Sequence, residues 1–200
     1  MIAGSDKEDL IVSAEKALTE ASEAASSADE QKTEYLPESR IDRLRLAVYK
    51  NLTAQEMLKI SSYAAVAITA YLLFYRFMLL LEAAAYREML GLAAMLAIPF
   101  VLVSILRAGI NAPRPYELLP FYEKAPKHKS GRSFPSRHIF SVFVIAVALM
   151  QYSILSGAVL ILVGVVMAFA RVALGIHFVR DAVAGAAIGI ISGIVGLIIL

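Results

Sequence analysis

The sequence predicts an all-α protein: a polytopic bundle of five transmembrane helices, preceded by an amphipathic helix at the membrane surface. Three observations carry that expectation. Of the 200 residues, 59% are hydrophobic and the mean hydropathy is +0.69. Soluble domains are roughly 45–50% apolar, so a soluble core would not hide this surface. The apolar residues also fall into runs near the roughly 17–25 residues that cross the hydrocarbon of a bilayer. Charge is segregated as well: residues 1–38 carry ten acids and three bases, whereas residues 39–200 carry seven acids and sixteen bases. Cysteine is absent, which excludes disulfides, thiolate metal sites and a cysteine nucleophile.

Residues 1–38 read as a polar acidic leader. It lacks the basic start, apolar stretch and small-residue cleavage site of a secretory signal. Leu10, Ala14, Ala17, Ala21, Ala24 and Ala28 recur at helical spacing, and Ser5-Asp6 could cap a helix start. A stripe of alanines buries little surface, so this segment is expected to be disordered or weakly helical. Leu36-Pro37 ends it.

Residues 39–58 form the predicted amphipathic interfacial helix. Ile41, Leu44, Val48 and Leu52 share one face, while Arg40, Arg43 and Lys50 point elsewhere. Residues 59–200 are the membrane-embedded domain, with spans at Ser61–Leu81, Met89–Leu106, Ile139–Leu155, Ala158–Leu174 and Ala182–Leu200. Tyr63 near one end of the first span, and Tyr75 with Arg76 near the other, suit interfacial anchors. Pro99 predicts a kink in the second. Short turns at Glu82–Glu88 and around Ser156-Gly157 join the spans on one side; the 107–137 loop and the 175–181 turn lie on the other. The unusual polar residues therefore gather on one face of the bundle. Gly185, Gly189 and Gly193 continue the line of Asp181 at steps of four, and Gly164 and Ala168 lead up to Arg171. Small residues so spaced let helices approach closely, which turns these polar groups into the bundle.

Three clusters on that face carry chemistry. Arg107 and Arg114 leave the second span seven residues apart. As an isolated pair they are ordinary headgroup anchors, but Pro113 and Pro115 fix the backbone around Arg114 and aim it. Arginine suits phosphate because its planar fork donates two parallel hydrogen bonds and stays charged. The second cluster, Ser133-Phe134-Pro135-Ser136-Arg137-His138, opens the third span. Proline and serine there are plain helix-start chemistry, yet a helix start also attracts anions, and His138 there could exchange a proton near neutral pH. In the third cluster, Arg171 precedes His177 by six residues and Asp181 follows it by four. A carboxylate at that distance can orient an imidazole that serves as base or nucleophile; the plainer alternative is a buried structural pair with Arg171 as counter-ion. Ionisable groups at the ends of membrane helices favour function.

Taken together, Arg107-x6-Arg114-Pro115, Pro135-Ser136-Arg137-His138 and Ala170-Arg171-x5-His177-x3-Asp181 resemble the three-part motif of the type 2 phosphatidic acid phosphatase and vanadium haloperoxidase superfamily, in its membrane lipid phosphatase branch. The resemblance covers about residues 60–200. Three positions depart from the family pattern of Lys-x6-Arg-Pro, Pro-Ser-Gly-His and Ser-Arg-x5-His-x3-Asp. Arg107 stands for lysine, Arg137 for glycine and Ala170 for serine. Membrane members also usually have six spans.

The resemblance implies a membrane phosphatase that hydrolyses a lipid phosphate or diphosphate through a phosphohistidine. Phosphatidic acid, phosphatidylglycerol phosphate and polyprenyl diphosphate are all compatible substrates. His177 would be the nucleophile, Asp181 would hold its tautomer, and His138 would act as acid and then base. Arg107, Arg114, Arg171 and the Ser136 hydroxyl would bind the phosphate, with Arg137 either a further cation there or turned to headgroups. No metal, cofactor or nucleic-acid partner is expected; the partners are the lipid substrate and the bilayer of a bacterial cell membrane. A haloperoxidase would share such a site, but those relatives are soluble. The alternative of another class is a catalytically silent lipid-phosphate binder or carrier, its turnover blocked by Arg137. Lys124, Lys127, His128, Lys129 and Arg132 in the long loop either attract anionic headgroups, at about 1 kcal/mol per cation, or form a solvated loop. The excess of basic residues around the site would make that face cytoplasmic, whereas the family's bacterial lipid phosphatases usually act on the outer face.

Overall fold

Asn51 sets the first boundary. Helix α1, Arg40–Lys50, starts at Ser39, whose hydroxyl accepts the Asp42 N–H at 3.0 Å. It stops at Asn51, whose backbone N–H donates to Val48 O while its side chain accepts from Ala54 N–H at 3.0 Å. One residue thus closes α1 and caps the long helix α2, Leu52–Glu82. The segment 39–58, read as one helix, therefore contains the end of one and the start of another. Ile41 and Leu44 are exposed, as an apolar face toward lipid would be, but Leu52 belongs to α2 and the buried side chain of α1 is Arg45.

This computed structural model describes residues 39–119 and 130–199. The leader at 1–38 and the loop residues Lys124, Lys127, His128 and Lys129 lie outside them. After α2 come α3, Tyr86–Ile110, which runs through Pro99; α4, Arg137–Met150; α5, Ile154–Ala173; and α6, Val179–Ile199. A single helical turn, Pro115–Leu118, follows α3. Among the described residues there is no strand.

Helices α2, α3, α5 and α6 are each long and apolar enough to cross a membrane. Helix α4 has 14 residues, or about 21 Å at 1.5 Å per residue, short of the roughly 30 Å hydrocarbon layer. The predicted run Ile139–Leu155 is thus not one helix. Ser153 accepts the Ser156 N–H at 3.2 Å and caps α5, which draws Ile154 and Leu155 into α5. The turn expected at Ser156-Gly157 lies instead at Gln151–Ser153. Gly157 serves packing, for a Cβ there would run into Met150 and the Ala146 carbonyl.

Its short length suits α4 to the middle of the bundle. Ile139, Phe140 and every residue from Val142 to Leu149 are buried, the all-round burial of a helix that needs no polar face. Helix α6 lies against it along the expected glycine line. A Cβ on Gly185 would stand 2.6 Å from Ser136 O, and one on Gly189 would stand 2.6 Å from Phe140 O. Gly164 of α5 faces the Phe143 ring in the same way. This close approach brings the start of α6, with Asp181, beside the start of α4, where Ser136 N–H donates to Asp181 O at 3.0 Å.

Gly189→Leu should therefore destabilise the fold, since overpacking alone costs about 1–3 kcal/mol and here the obstacle is main chain. Thermal unfolding in detergent should show a clearly lowered midpoint. Gly91→Ala, at a glycine with nothing within 4 Å of the added atom, should leave it unchanged or slightly raised.

Candidate active site

The two described ends of the long loop are tied together over the end of α3. Asn111, in the left-handed region at φ 44°, ends that helix. Ser133 N–H then donates to Ala112 O at 2.8 Å, and Gly131 N–H donates to the Glu117 carboxylate at 2.7 Å. Arg114, buried between its prolines, donates its Nε–H to Gly131 O at 3.0 Å. Arg107 is buried in the last turn of α3 and donates from Nη1 to Pro135 O at 2.9 Å. Each of these guanidiniums is thus fixed through a main-chain carbonyl, while the fork of five donors leaves others for a ligand.

Three further elements reach the same place. His138 and Arg137 stand in the first turn of α4, Arg171 in the last turn of α5. Gly175, at φ +69°, reverses the chain between α5 and α6 and presents His177, which is only 1% exposed. Arg107, Arg114, Arg137, His138, Arg171 and His177 wall one cavity of about 570 Å³. Ser104, Asn111, Ser130, Gly131 and Arg132 complete its lining. By sequence Arg132 belongs with the basic loop residues, and nothing in the pattern marks Ser104 or Asn111. Arg137 leans its guanidinium over the Phe100 ring, 5.8 Å from the centroid, and forms part of the cavity wall. Ala170, at the family's serine position, is fully buried.

Ser136 and Asp181 are not among the cavity's walls. Ser136 is fully buried, and its hydroxyl makes no cap bond to α4 and has no hydrogen-bond partner among the described residues. Arg171 Nε is likewise buried without a hydrogen-bond partner there. The plain capping role for Ser136 is thus not used, and the free N–H groups of the α4 start remain at the cavity end, where they favour an anion.

The link between His177 and Asp181 is less direct than the sequence implied. His177 Nδ1 lies 3.7 Å from Asp181 Oδ2, beyond hydrogen-bond length. Ser133 stands between them: its fully buried hydroxyl donates to Asp181 Oδ2 and sits 3.3 Å from His177 Nδ1. Asp181 Oδ2 also accepts the Phe178 N–H at 2.9 Å, a capping contact at the start of α6. Nδ1 is therefore held from behind and Nε2 is the nitrogen left to face a ligand. Burial pushes the His177 ring below the ordinary imidazole value; the Asp181 contact opposes that, and Arg114, Arg171 and Arg107 lower it further. These effects favour the neutral ring, and with Nδ1 facing Ser133 the lone pair falls to Nε2.

Such an arrangement can hold a doubly charged tetrahedral anion and offer it an imidazole nitrogen, with a second imidazole alongside. Among the described residues no three His, Asp or Glu side chains gather as a metal site.

Two solved structures are similar to this chain. The solved structure of LpxE from Aquifex aeolicus is similar at a TM-score of 0.56 and 27% identity, covering 74% of this chain and 87% of that one. That of a transmembrane PAP2-type phosphatidylglycerolphosphate phosphatase from Bacillus subtilis has a TM-score of 0.48 and 22% identity, covering 78% and 90%. No curated protein sequence matches. The sequence profile of the PAP2 superfamily matches residues 88–200, a stretch that holds Arg107, Arg114, Ser136, Arg137, His138, Arg171, His177 and Asp181. With that match over more than half its length, the chain belongs to the PAP2 superfamily.

Proposed function

We propose that this chain is a multi-pass membrane phosphatase that hydrolyses a lipid phosphate or diphosphate without a metal ion, through a phosphohistidine at His177. The observation that carries the reading is the common cavity: Arg107, Arg114 and Arg171 bring three guanidiniums, and His138 and His177 two imidazoles, to one space at the end of apolar helices. A phosphate headgroup at the membrane boundary would reach it while its hydrocarbon stays in lipid. Membership of the PAP2 superfamily supports the same chemistry. Helix α1 would lie along the membrane surface on that side, its Ile41 and Leu44 toward lipid.

In the proposed reaction His177 Nε2 attacks phosphorus as the bond to the leaving oxygen breaks, and His138 gives that oxygen its proton. The ring that becomes phosphorylated gains positive charge, which Asp181 balances through Ser133. Water, deprotonated by His138, then attacks the phosphorus, the N–P bond breaks and inorganic phosphate leaves. Arg107, Arg114 and Arg171 offset the charge on the equatorial oxygens throughout, the part that magnesium plays in other phosphoryl transfers.

Phosphatidic acid, phosphatidylglycerol phosphate and polyprenyl diphosphate present one kind of anion at one depth, so a panel of the three in mixed micelles tests the proposal. The purified protein should release phosphate from at least one of them in excess EDTA. Release that stops on chelation and returns with magnesium would overturn the metal-independent reaction. Binding or flipping without release would make the chain the carrier.

A further inference from the structure

We propose that Arg45 is a positioning residue for His177: from α1 it grips both sides of the α5–α6 turn and so sets the aim of the ring. The role of His177 here rests on the phosphatase reading above. Arginines on an interfacial helix ordinarily face water or headgroups, yet Arg45 is 3% exposed. Its Nε–H donates to Val172 O at 3.1 Å and its Nη2 to His177 O at 3.2 Å. Those two carbonyls flank Gly175, the residue at which the chain reverses. Nη1 donates to Asp42 at 3.0 Å, which balances the buried charge, and the guanidinium lies 5.5 Å from the centroid of the Phe178 ring. A cation at the end of α5 also suits the negative end of that helix.

Every one of these contacts is with main chain or with residues outside the cavity, so Arg45 acts through the backbone of His177. Removing it would leave a buried carbonyl unpaired next to the nucleophile and free the glycine turn to shift. Misplacement by about 1 Å can cost about a hundredfold in rate. Lysine could keep the charge but not the fork that spans two carbonyls.

Two measurements on detergent-purified, monodisperse protein test this. With phosphatidic acid in mixed micelles, Arg45→Ala should lower kcat by about ten- to a hundredfold with KM little changed, and Arg45→Lys should fall between it and wild type. Unchanged kcat, or a raised KM with kcat intact, would overturn the proposal, the latter making Arg45 a headgroup cation. Independently of activity, diethyl pyrocarbonate modification mapped by mass spectrometry compares His177 with the exposed His138. Arg45→Ala should raise the His177 to His138 ratio roughly threefold, as local opening of the turn exposes the ring; an unchanged ratio overturns the proposal. A wild type that releases no phosphate would overturn the phosphatase reading and leave this ratio to decide on Arg45. If Arg45→Ala does not accumulate, Arg45→Lys carries both measurements.

Discussion

His177→Ala abolishes phosphate release, with kcat down by at least about 10⁴-fold, while the protein still inserts and remains monodisperse. The size of the loss follows from the proposed role: without the nitrogen proposed to bond phosphorus, only electrostatic stabilisation of a direct attack by water would remain, and such residual catalysis is far below that of an intact nucleophile. The fold survives because the start of α6 does not depend on the ring. Asp181 keeps its bonds from Phe178 N–H and from Ser133, and Ser136 N–H keeps its bond to Asp181 O. Rapid quenching should trap an acid-labile phosphoprotein in the wild type and none in the variant. The wild-type pH profile adds a second reading. Because burial and three nearby guanidiniums lower the His177 value, the neutral ring persists below the ordinary 6.5. The acid limb of kcat/KM that reports its protonation should therefore lie under 6.5. Substantial turnover by His177→Ala would remove the proposed nucleophile.

The sequence exposed the site more readily than the supports around it. Arg107, Arg114, His138, Arg171 and His177 were legible because each lies near one end of an apolar run and because their order and spacing match a family motif. All five line one cavity. Ser133 was not legible as a bridge, since its partner Asp181 is 48 residues away and meets it only because α6 packs onto α4 through glycines. Nor was Arg45 legible as a support, for its acceptor at His177 O is 132 residues distant. Apolar periodicity could not find the end of α4 either, because a helix buried on all sides shows no face. There the cap at Ser153 decided the boundary, and the more conspicuous Ser156-Gly157 pair was absorbed into α5. Asn51 divided a continuous amphipathic stripe by the same means, a side chain competing for backbone N–H groups.

Asp181→Asn lowers kcat by about 10³–10⁴-fold, and Ser133→Ala by only about ten- to a hundredfold, with KM changed little in either. The carboxylate oxygen Oδ2 accepts from the Ser133 hydroxyl and the Phe178 N–H and lies 3.7 Å from His177 Nδ1. An amide in its place loses the negative charge that, in the proposed reaction, balances the ring as it becomes a phosphorylated cation. It also sets either an oxygen without charge, or an NH₂ facing a backbone N–H, where the turn needs a strong acceptor. Loss of Ser133 is milder. The carboxylate stays, and from 3.7 Å a small rotation brings it to Nδ1, so charge balance survives while the bridge is lost. The ordering of the two variants is what tests the geometry. If Ser133→Ala cost more than Asp181→Asn, the hydroxyl would be a reacting group in its own right. If Asp181→Asn stayed within tenfold of wild type, the carboxylate would be serving the α6 turn and not the nucleophile.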